Sequence, residues 1–275
     1  AGGILAEALV TLALQHGLTH VVDVGAGRGE LLAHLHAAQP SLRLTGVDVV
    51  PRPPALPGVV EWLVSPGGPG LPPELTHLRS ALVVAHEWLD VVPCAVAQVD
   101  EHGVLRCRLV DPTGVESWGP RVAGRELEWS RSHWPGERPG ERVEIGLSRD
   151  LAWSSLLQRL DTGLAVAIDY GHRRDHRPRE GTLTAYRTGR QVTAVPDGSC
   201  DLTAHVAMDS LVHTELVDQR TALRRLGVLG QTPPIELAHA EPLAYLRGLE
   251  RAGAAASLTA RGGFGDFLWA FSRVG

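Results

Sequence analysis

Five residues near the amino end have the types and spacing to hold a small ligand: Asp23, Gly25, Gly27, Gly29 and Asp48. In Val21-Val22-Asp23-Val24-Gly25-Ala26-Gly27-Arg28-Gly29-Glu30 a β-branched run enters a glycine turn that lets a ligand approach the backbone. Free N–H groups at the start of the following helix favour a polar or anionic group. About 20 residues on, Leu42-Arg-Leu-Thr-Gly-Val-Asp48 ends in a second acid, with Val49 beside it, where a ribose diol would be gripped. The plain alternative makes Asp23 and Asp48 solvated charges at strand ends. A second constellation is His86-Glu87-Trp88-Leu89-Asp90, whose two carboxylates could hold a cation. A guanidinium is the best geometric match, because it offers paired charge-assisted donors. The first turn of a helix is the competing account, since acids there meet the helix dipole favourably.

Other titratable groups carry weaker signals. His172, Asp175 and His176 resemble a metal cluster, but Arg173, Arg174, Arg177 and Arg179 crowd the same stretch and oppose a cation, so no metal is expected. His205, in Asp201-Leu-Thr-Ala-His205-Val, could take a proton at the sheet edge or serve as a hydrogen-bonded structural residue. No G-x-S-x-G elbow, Walker loop or H-E-x-x-H motif occurs.

The elements that must position these groups read as an α/β fold. Residues 4–16 form a helix pattern closed by Gly17, and Glu30 to Gln39 form another that Pro40 stops. Buried strands are expected at 21–24, 42–48, 58–64, 80–86 and 164–169, and a last strand within 265–274. Strands that finish in a polar residue at one edge imply an open, mostly parallel sheet with ligands beyond its carboxyl ends. The proline-rich stretch Pro51 to Pro57 leaves no room for a helix between the second and third strands. Alternating pieces between Ala95 and Ile145 predict an antiparallel insertion, with loops over 111–140, and residues 172–201 read as a polar, loop-rich segment. A helix is expected over 148–160, capped by Ser148. The predicted architecture is one Rossmann-like domain over residues 1–275, helices on both faces of the sheet, with insertions at about 95–147 and 172–200.

Bulk properties set the outer limits. With 44% hydrophobic and 21% charged residues, the 275-residue chain is expected to fold around an ordered core. A net charge of −5 argues against a general nucleic-acid surface. No apolar run reaches the roughly 18 residues a membrane span needs. Cys94, Cys107 and Cys200 are widely spaced and read as reduced thiols, and the amino end lacks a basic signal-peptide start, so a cytoplasmic location is expected. All 26 basic residues are arginine and asparagine is missing, the bias of a high-GC bacterial genome.

The glycine turn discriminates between two cofactor classes. A dinucleotide site wants G-x-G-x-x-G, and Glu30 stands at the sixth position, so an NAD-dependent oxidoreductase is disfavoured. G-x-G-x-G preceded by an acid resembles the S-adenosylmethionine loop of Rossmann-like methyltransferases. Five ordered stretches extend that likeness to the MidA-type methyltransferases, the family of the mitochondrial complex I assembly methyltransferase. They are Val-Asp-Val-Gly-Ala-Gly-Arg-Gly29, Glu87-Trp-Leu-Asp90-Val-Val-Pro93, Ile168-Asp-Tyr-Gly-His172, Gly181-Thr-Leu-Thr-Ala-Tyr186 and Asp201-Leu-Thr-Ala-His-Val206. Where His86 stands the family usually has Asn, and where Asp48 stands it often has Glu.

The resemblance implies a class I methyltransferase fold, S-adenosylmethionine as cofactor with S-adenosylhomocysteine as product, and methylation of arginine in a partner protein. It places Asp23, Gly25, Gly27, Gly29, Asp48, Val49 and His86 at the cofactor and Glu87 and Asp90 at the acceptor as catalytic groups. Asp169, Tyr170 and His205 would help bind the substrate. It also implies a segment ahead of Gly3 that closes over the cofactor and a helix near residues 208–214. Two rivals remain: a methyltransferase for a small molecule, and a non-catalytic assembly factor. A peptide-wide acidic groove would favour protein arginine, and an enclosed cavity would favour a metabolite.

Overall fold

The computed structural model describes residues 2–275. Its centre is a seven-stranded sheet in the order β15-β16-β9-β4-β1-β2-β3. The strands are β1 (His20–Val24), β2 (Arg43–Asp48), β3 (Glu61–Val64), β4 (Ala81–His86), β9 (Gly163–Asp169), β15 (Glu215–Asp218) and β16 (Leu268–Val274). β1 runs parallel to β2 and β4, β2 to β3 and β4 to β9, whereas β16 is antiparallel to both of its neighbours. The strands expected from apolar runs are therefore present, with the third and the last shorter than their runs.

Alternation in the central strands serves two layers. Val21, Leu82, Val84, Val166 and Ile168 face one core with Leu5 and Leu9 of α1 (Gly2–Gln15) and Leu32 and Leu35 of α2 (Glu30–Ala38). Val22, Val83, Ala85, Ala165 and Ala167 face the other, against Trp153 and Leu156 of α4 (Leu147–Leu157). Both faces are covered, which is why these strands read as continuous apolar runs. The first layer also holds Leu223 of α5 (Gln219–Arg225) and Leu258 of α7 (Pro242–Thr259), which follows the short α6 (Glu236–Ala240).

Residues 49–60 join β2 to β3 without a helix, as the prolines require. Leu56 in that connection packs over the glycine turn: a Cβ built on Gly29 would meet its Cδ1 at 2.7 Å.

The antiparallel insertion is a four-stranded sheet in the order β7-β6-β5-β8. It comprises β5 (Ala95–Val99), β6 (Leu105–Val110), β7 (Glu116–Arg121) and β8 (Arg142–Ile145). The loop expected over 111–140 is corrected here, since it contains β7 and the helix α3 (Gly124–His133). Trp129 of α3 closes a separate core with Val143 and Ile145 and donates its indole N–H to Asp150 at 2.6 Å. Ser148 lies inside α4, where Gly146 is the N-cap, and its hydroxyl donates to the Pro93 carbonyl instead of capping.

The polar stretch after β9 is also more regular than expected. It holds β10 (Gly171–His172), β11 (Thr184–Arg187) and β12 (Arg190–Val192), followed by β13 (Asp201–Thr203) and β14 (Val206–Ala207). Strands β12-β11-β13 form a small antiparallel sheet, and β14 pairs with β10. The helix implied near 208–214 is replaced by a turn and loop, pinned where the Val212 carbonyl accepts from Trp153 Nε1 at 2.8 Å and Ser272 Oγ at 2.7 Å.

Candidate active site

The parallel register brings three chain segments to one edge. Val24 is level with Val47 of β2 and Ala85 of β4, so the glycine turn, Asp48 and His86 all lie just beyond the carboxyl ends. Gly25, Gly27 and Gly29 have φ of 78°, 57° and 76°, a left-handed region where side chains are strained. Nothing lies within 4 Å of the place a Cβ would take on Gly27, so the turn presents open backbone there. Gly25 is confined by Trp88, whose Cβ would sit 3.1 Å from an added Cβ.

Asp48 closes the turn: its Oδ2 accepts from Gly27 N at 2.7 Å and its Oδ1 from Val50 N at 3.2 Å. Val49 beside it is exposed. Asp23 is no solvated charge, being only 2% exposed. Burial first, and then the negative charge of Asp48, pushes its carboxyl up to about 7. The glycine N–H groups are committed, to Val47 O, Asp48 Oδ2 and Ala26 O, so the turn offers close backbone approach rather than donors, bordered by the Asp48 carboxylate at the adjoining strand end where a nucleoside's ribose would lie. Gly25, Gly27, Gly29 and Asp48 therefore fit such a cofactor.

Residues 87–94 form bends and turns, so Glu87 and Asp90 do not belong to the start of a helix. Glu87 adopts φ of 52°, uncommon for a residue with a side chain, and its N–H donates to the Ile168 carbonyl at 2.9 Å. Its side chain is 43% exposed, and burial with the nearby charge of Asp90 raises its pKa. His86 Nε2 stands 3.6 Å from Glu87 Oε1, but burial holds the imidazole down to about 4. With the ring neutral at neutral pH, this is a polar contact and not an ion pair.

Asp90 is buried beneath them. Its Oδ2 accepts from Thr203 Oγ1 at 2.7 Å and from the Tyr170 hydroxyl, while Oδ1 has no hydrogen-bond partner. Asp169 accepts from Asp90 N at 3.2 Å, and burial, then the charge of Asp90, raise its pKa well above the ordinary carboxylate value. Tyr170 packs edge-on to His205 at 5.3 Å between ring centroids and is likewise raised, by burial and by its bond to Asp90. The pairing of β14 with β10 thus brings His205 to the sheet edge beside Tyr170. The structure gathers Glu87, Asp90, Asp169, Tyr170 and His205 into one cluster.

His172 and His176 make no metal centre with Asp175. Arg177 Nη1 donates to His172 Nδ1 at 2.8 Å, and burial, then Arg177, drive this imidazole down to about 3. Among the described residues no group of three or more His, Cys, Asp or Glu could hold a metal ion.

Two buried charges escaped the sequence reading. Arg149 on α4 donates to the carbonyls of Asp90 at 2.8 Å, Val92 at 3.1 Å and His205 at 2.9 Å, tying the segment after β4 to the one before β14. Glu144 on β8 accepts from Thr182 and from Leu183 N at 2.7 Å and anchors the small antiparallel sheet. Neither stands in a pattern that marks burial, because each partner comes from a distant part of the chain.

A cavity of about 550 Å³ opens from Asp90 between the four-stranded and three-stranded sheets. Apolar side chains such as Val92, Leu109, Leu183 and Leu202 line it, together with Cys94 and Cys107.

A parallel sheet with one antiparallel strand, a glycine turn after its central strand and an acid ending the next strand define the class of Rossmann-like methyltransferases. Residues 4–227 match the family described as "putative S-adenosyl-L-methionine-dependent methyltransferase". The chain belongs to that family. Two solved structures from Burkholderia thailandensis share the fold. One, an uncharacterised protein, is 22% identical with a TM-score of 0.76, over 99% of this chain and 79% of its own. The other, bound to S-adenosyl-homocysteine, is 24% identical with a TM-score of 0.74, over 98% and 76%. No curated protein matches the chain. No helix among the described residues is long and apolar enough to cross a membrane.

Proposed function

We propose that this methyltransferase transfers the methyl group to a nitrogen held by Glu87 and Asp90, and that arginine of a partner protein is the acceptor. The observation that carries this reading is the pair of carboxylates just beyond the end of β4, Glu87 facing solvent and Asp90 buried behind it. The cofactor supplies an electrophilic methyl on a sulfonium. Gly25, Gly27 and Gly29 would receive its amino-acid tail and Asp48 its ribose, with Val49 and His86 completing the wall; Asp23, 2% exposed, lies buried behind the turn and does not face the cofactor directly.

Glu87 and Asp90 would orient the guanidinium so that one nitrogen lies in line with the methyl carbon. The nitrogen lone pair forms the new N–C bond while the C–S bond breaks with its electrons on sulfur. The methylated group then releases one proton to solvent past Glu87. Tyr170 and Thr203 fix Asp90 by its Oδ2, and burial raises the pKa of the adjacent Asp169. His205 stands exposed beside them, its pKa lowered by partial desolvation, and would accept a hydrogen bond from the acceptor.

One observation favours a second reading, a small-molecule acceptor: the cavity beside Asp90 is apolar and of the size of a metabolite site. Incubating the protein with methyl-labelled cofactor and cell lysate separates the two. Label in protein arginine supports the first, label only in the low-molecular-weight fraction supports the second, and no label contradicts both.

A further inference from the structure

We propose that Trp88 is a cofactor-binding residue whose indole N–H donates to the carboxylate of the amino-acid tail of S-adenosylmethionine. This rests on the cofactor part of the methyltransferase reading and holds whichever acceptor is methylated.

The tail needs a donor that the glycines do not supply. Gly25 N donates to Val47 O at 2.9 Å, Gly27 N to Asp48 Oδ2 at 2.7 Å and Gly29 N to Ala26 O at 2.8 Å, so none of the three is free for a ligand. Asp48 and Glu87, at the neighbouring strand ends, are carboxyl groups and offer acceptors in place of donors.

Trp88 stands at the turn with a donor to spare. It follows Glu87 in the segment after β4, and its Cβ and Cδ1 lie 3.1 Å and 3.3 Å from the place a Cβ on Gly25 would take. Cδ1 is the ring carbon bonded to Nε1, so the edge that carries the N–H is the one beside the turn. Trp88 is 6% exposed. Trp129, Trp153 and Trp269, which are also buried, donate their indole N–H inside the protein, to Asp150 at 2.6 Å, the Val212 carbonyl at 2.8 Å and Gln219 Oε1 at 3.0 Å. Buried indoles generally find such a partner. The Trp88 N–H has no acceptor among the described residues, yet it is not sealed from solvent. An unpaired donor in a nearly closed place is costly, and a ligand that accepts from it recovers that cost. The carboxylate is the strongest acceptor on the tail, because a hydrogen bond to an ionised group is charge-assisted.

The test compares three ligands by calorimetry. They are S-adenosylhomocysteine; S-adenosyl-3-thiopropylamine, which keeps the amine and lacks the carboxylate; and 5′-methylthioadenosine, which lacks the whole tail. The parent protein is expected to bind S-adenosylhomocysteine at least about tenfold tighter than the amine analogue. Trp88→Phe keeps a ring against Gly25 and removes the N–H, so this preference should fall to roughly threefold or less. Its affinity for 5′-methylthioadenosine, which lacks the group that Trp88 holds, should stay within about twofold of the parent's. Asp48→Ala should weaken all three ligands alike and keep the preference. A second measurement stands without any variant. Of the seven indole N–H signals in a proton–nitrogen correlation spectrum of the parent, one should move on adding S-adenosylhomocysteine and keep its place with the amine analogue.

No preference in the parent, or the same preference in Trp88→Phe, would overturn the proposal; the second result would put the carboxylate at the start of α2 or on Arg28. Indole signals that answer both ligands alike would overturn it as well. Those outcomes leave S-adenosylhomocysteine binding and the methyltransferase reading in place, whereas failure of all three ligands to bind the parent removes that reading and this assignment with it.

Discussion

Two carboxylates carry opposite assignments at the level of single residues. Glu87 is half-open to solvent in a strained backbone conformation, and such strain persists only where surrounding structure over-determines it. Replacing Glu87 by Gln keeps the shape and removes the charge, so turnover should fall by at least about tenfold with S-adenosylhomocysteine affinity unchanged. Unaltered turnover would remove Glu87 from the mechanism. Asp23 concerns stability. Unfolded, it titrates near 3.8, and folded, near 7, so between these values the native protein keeps a proton that the unfolded chain has released. The stability from burying a neutral Asp23 is therefore complete below about 4 and is lost as pH rises through about 7. Thermal unfolding of Asp23→Asn should show a gain over the parent that grows from pH 4 to 7 and then levels off. A gain independent of pH would mean that Asp23 does not titrate in this window.

Among elements, the strand-turn-helix at 20–38 was legible because its residues obey local rules: β-branched strand, glycines, one-sided leucines. The same holds for β2, β4 and β9, buried on both faces. Helix α3 was not legible, since only Trp129 and Ser130 of its ten residues are buried, too few for a 3.6-residue rhythm. Helix α7, rich in Ala and Gly, likewise buries only Ala255 and Leu258. Within the site, the motif residues could be found by spacing, whereas Arg149 and Glu144 could not, because tertiary packing alone gives them partners. Arg149 also makes the sharpest prediction at this scale. Arg149→Leu leaves the carbonyls of Asp90, Val92 and His205 without their donor, which should cost roughly 3 kcal/mol or more in urea unfolding. It should also lower turnover, because Asp90 and the segment before β14 lose their common anchor. A loss under about 1 kcal/mol would mean that water replaces the guanidinium at all three carbonyls.

For the molecule as a whole, the architecture divides labour between two parts of the chain. The parallel sheet aligns the glycine turn, Asp48 and His86 on one edge, and the two antiparallel sheets wall off the space beside Asp90. The edge bearing the glycine turn follows from rules shared by open α/β sheets, so sequence spacing reached its geometry. The space beside Asp90 depends on how separate sheets pack, which spacing does not encode. The central claim is that a methyl-donating nucleoside lies across the carboxyl ends of β1, β2 and β4. Titrating S-adenosylhomocysteine calorimetrically into the protein and into Asp48→Ala tests it most directly. Saturable binding at one site per chain, weakened at least about tenfold in Asp48→Ala, is the predicted result. No binding to the parent protein, or equal affinity in the two, would contradict the account.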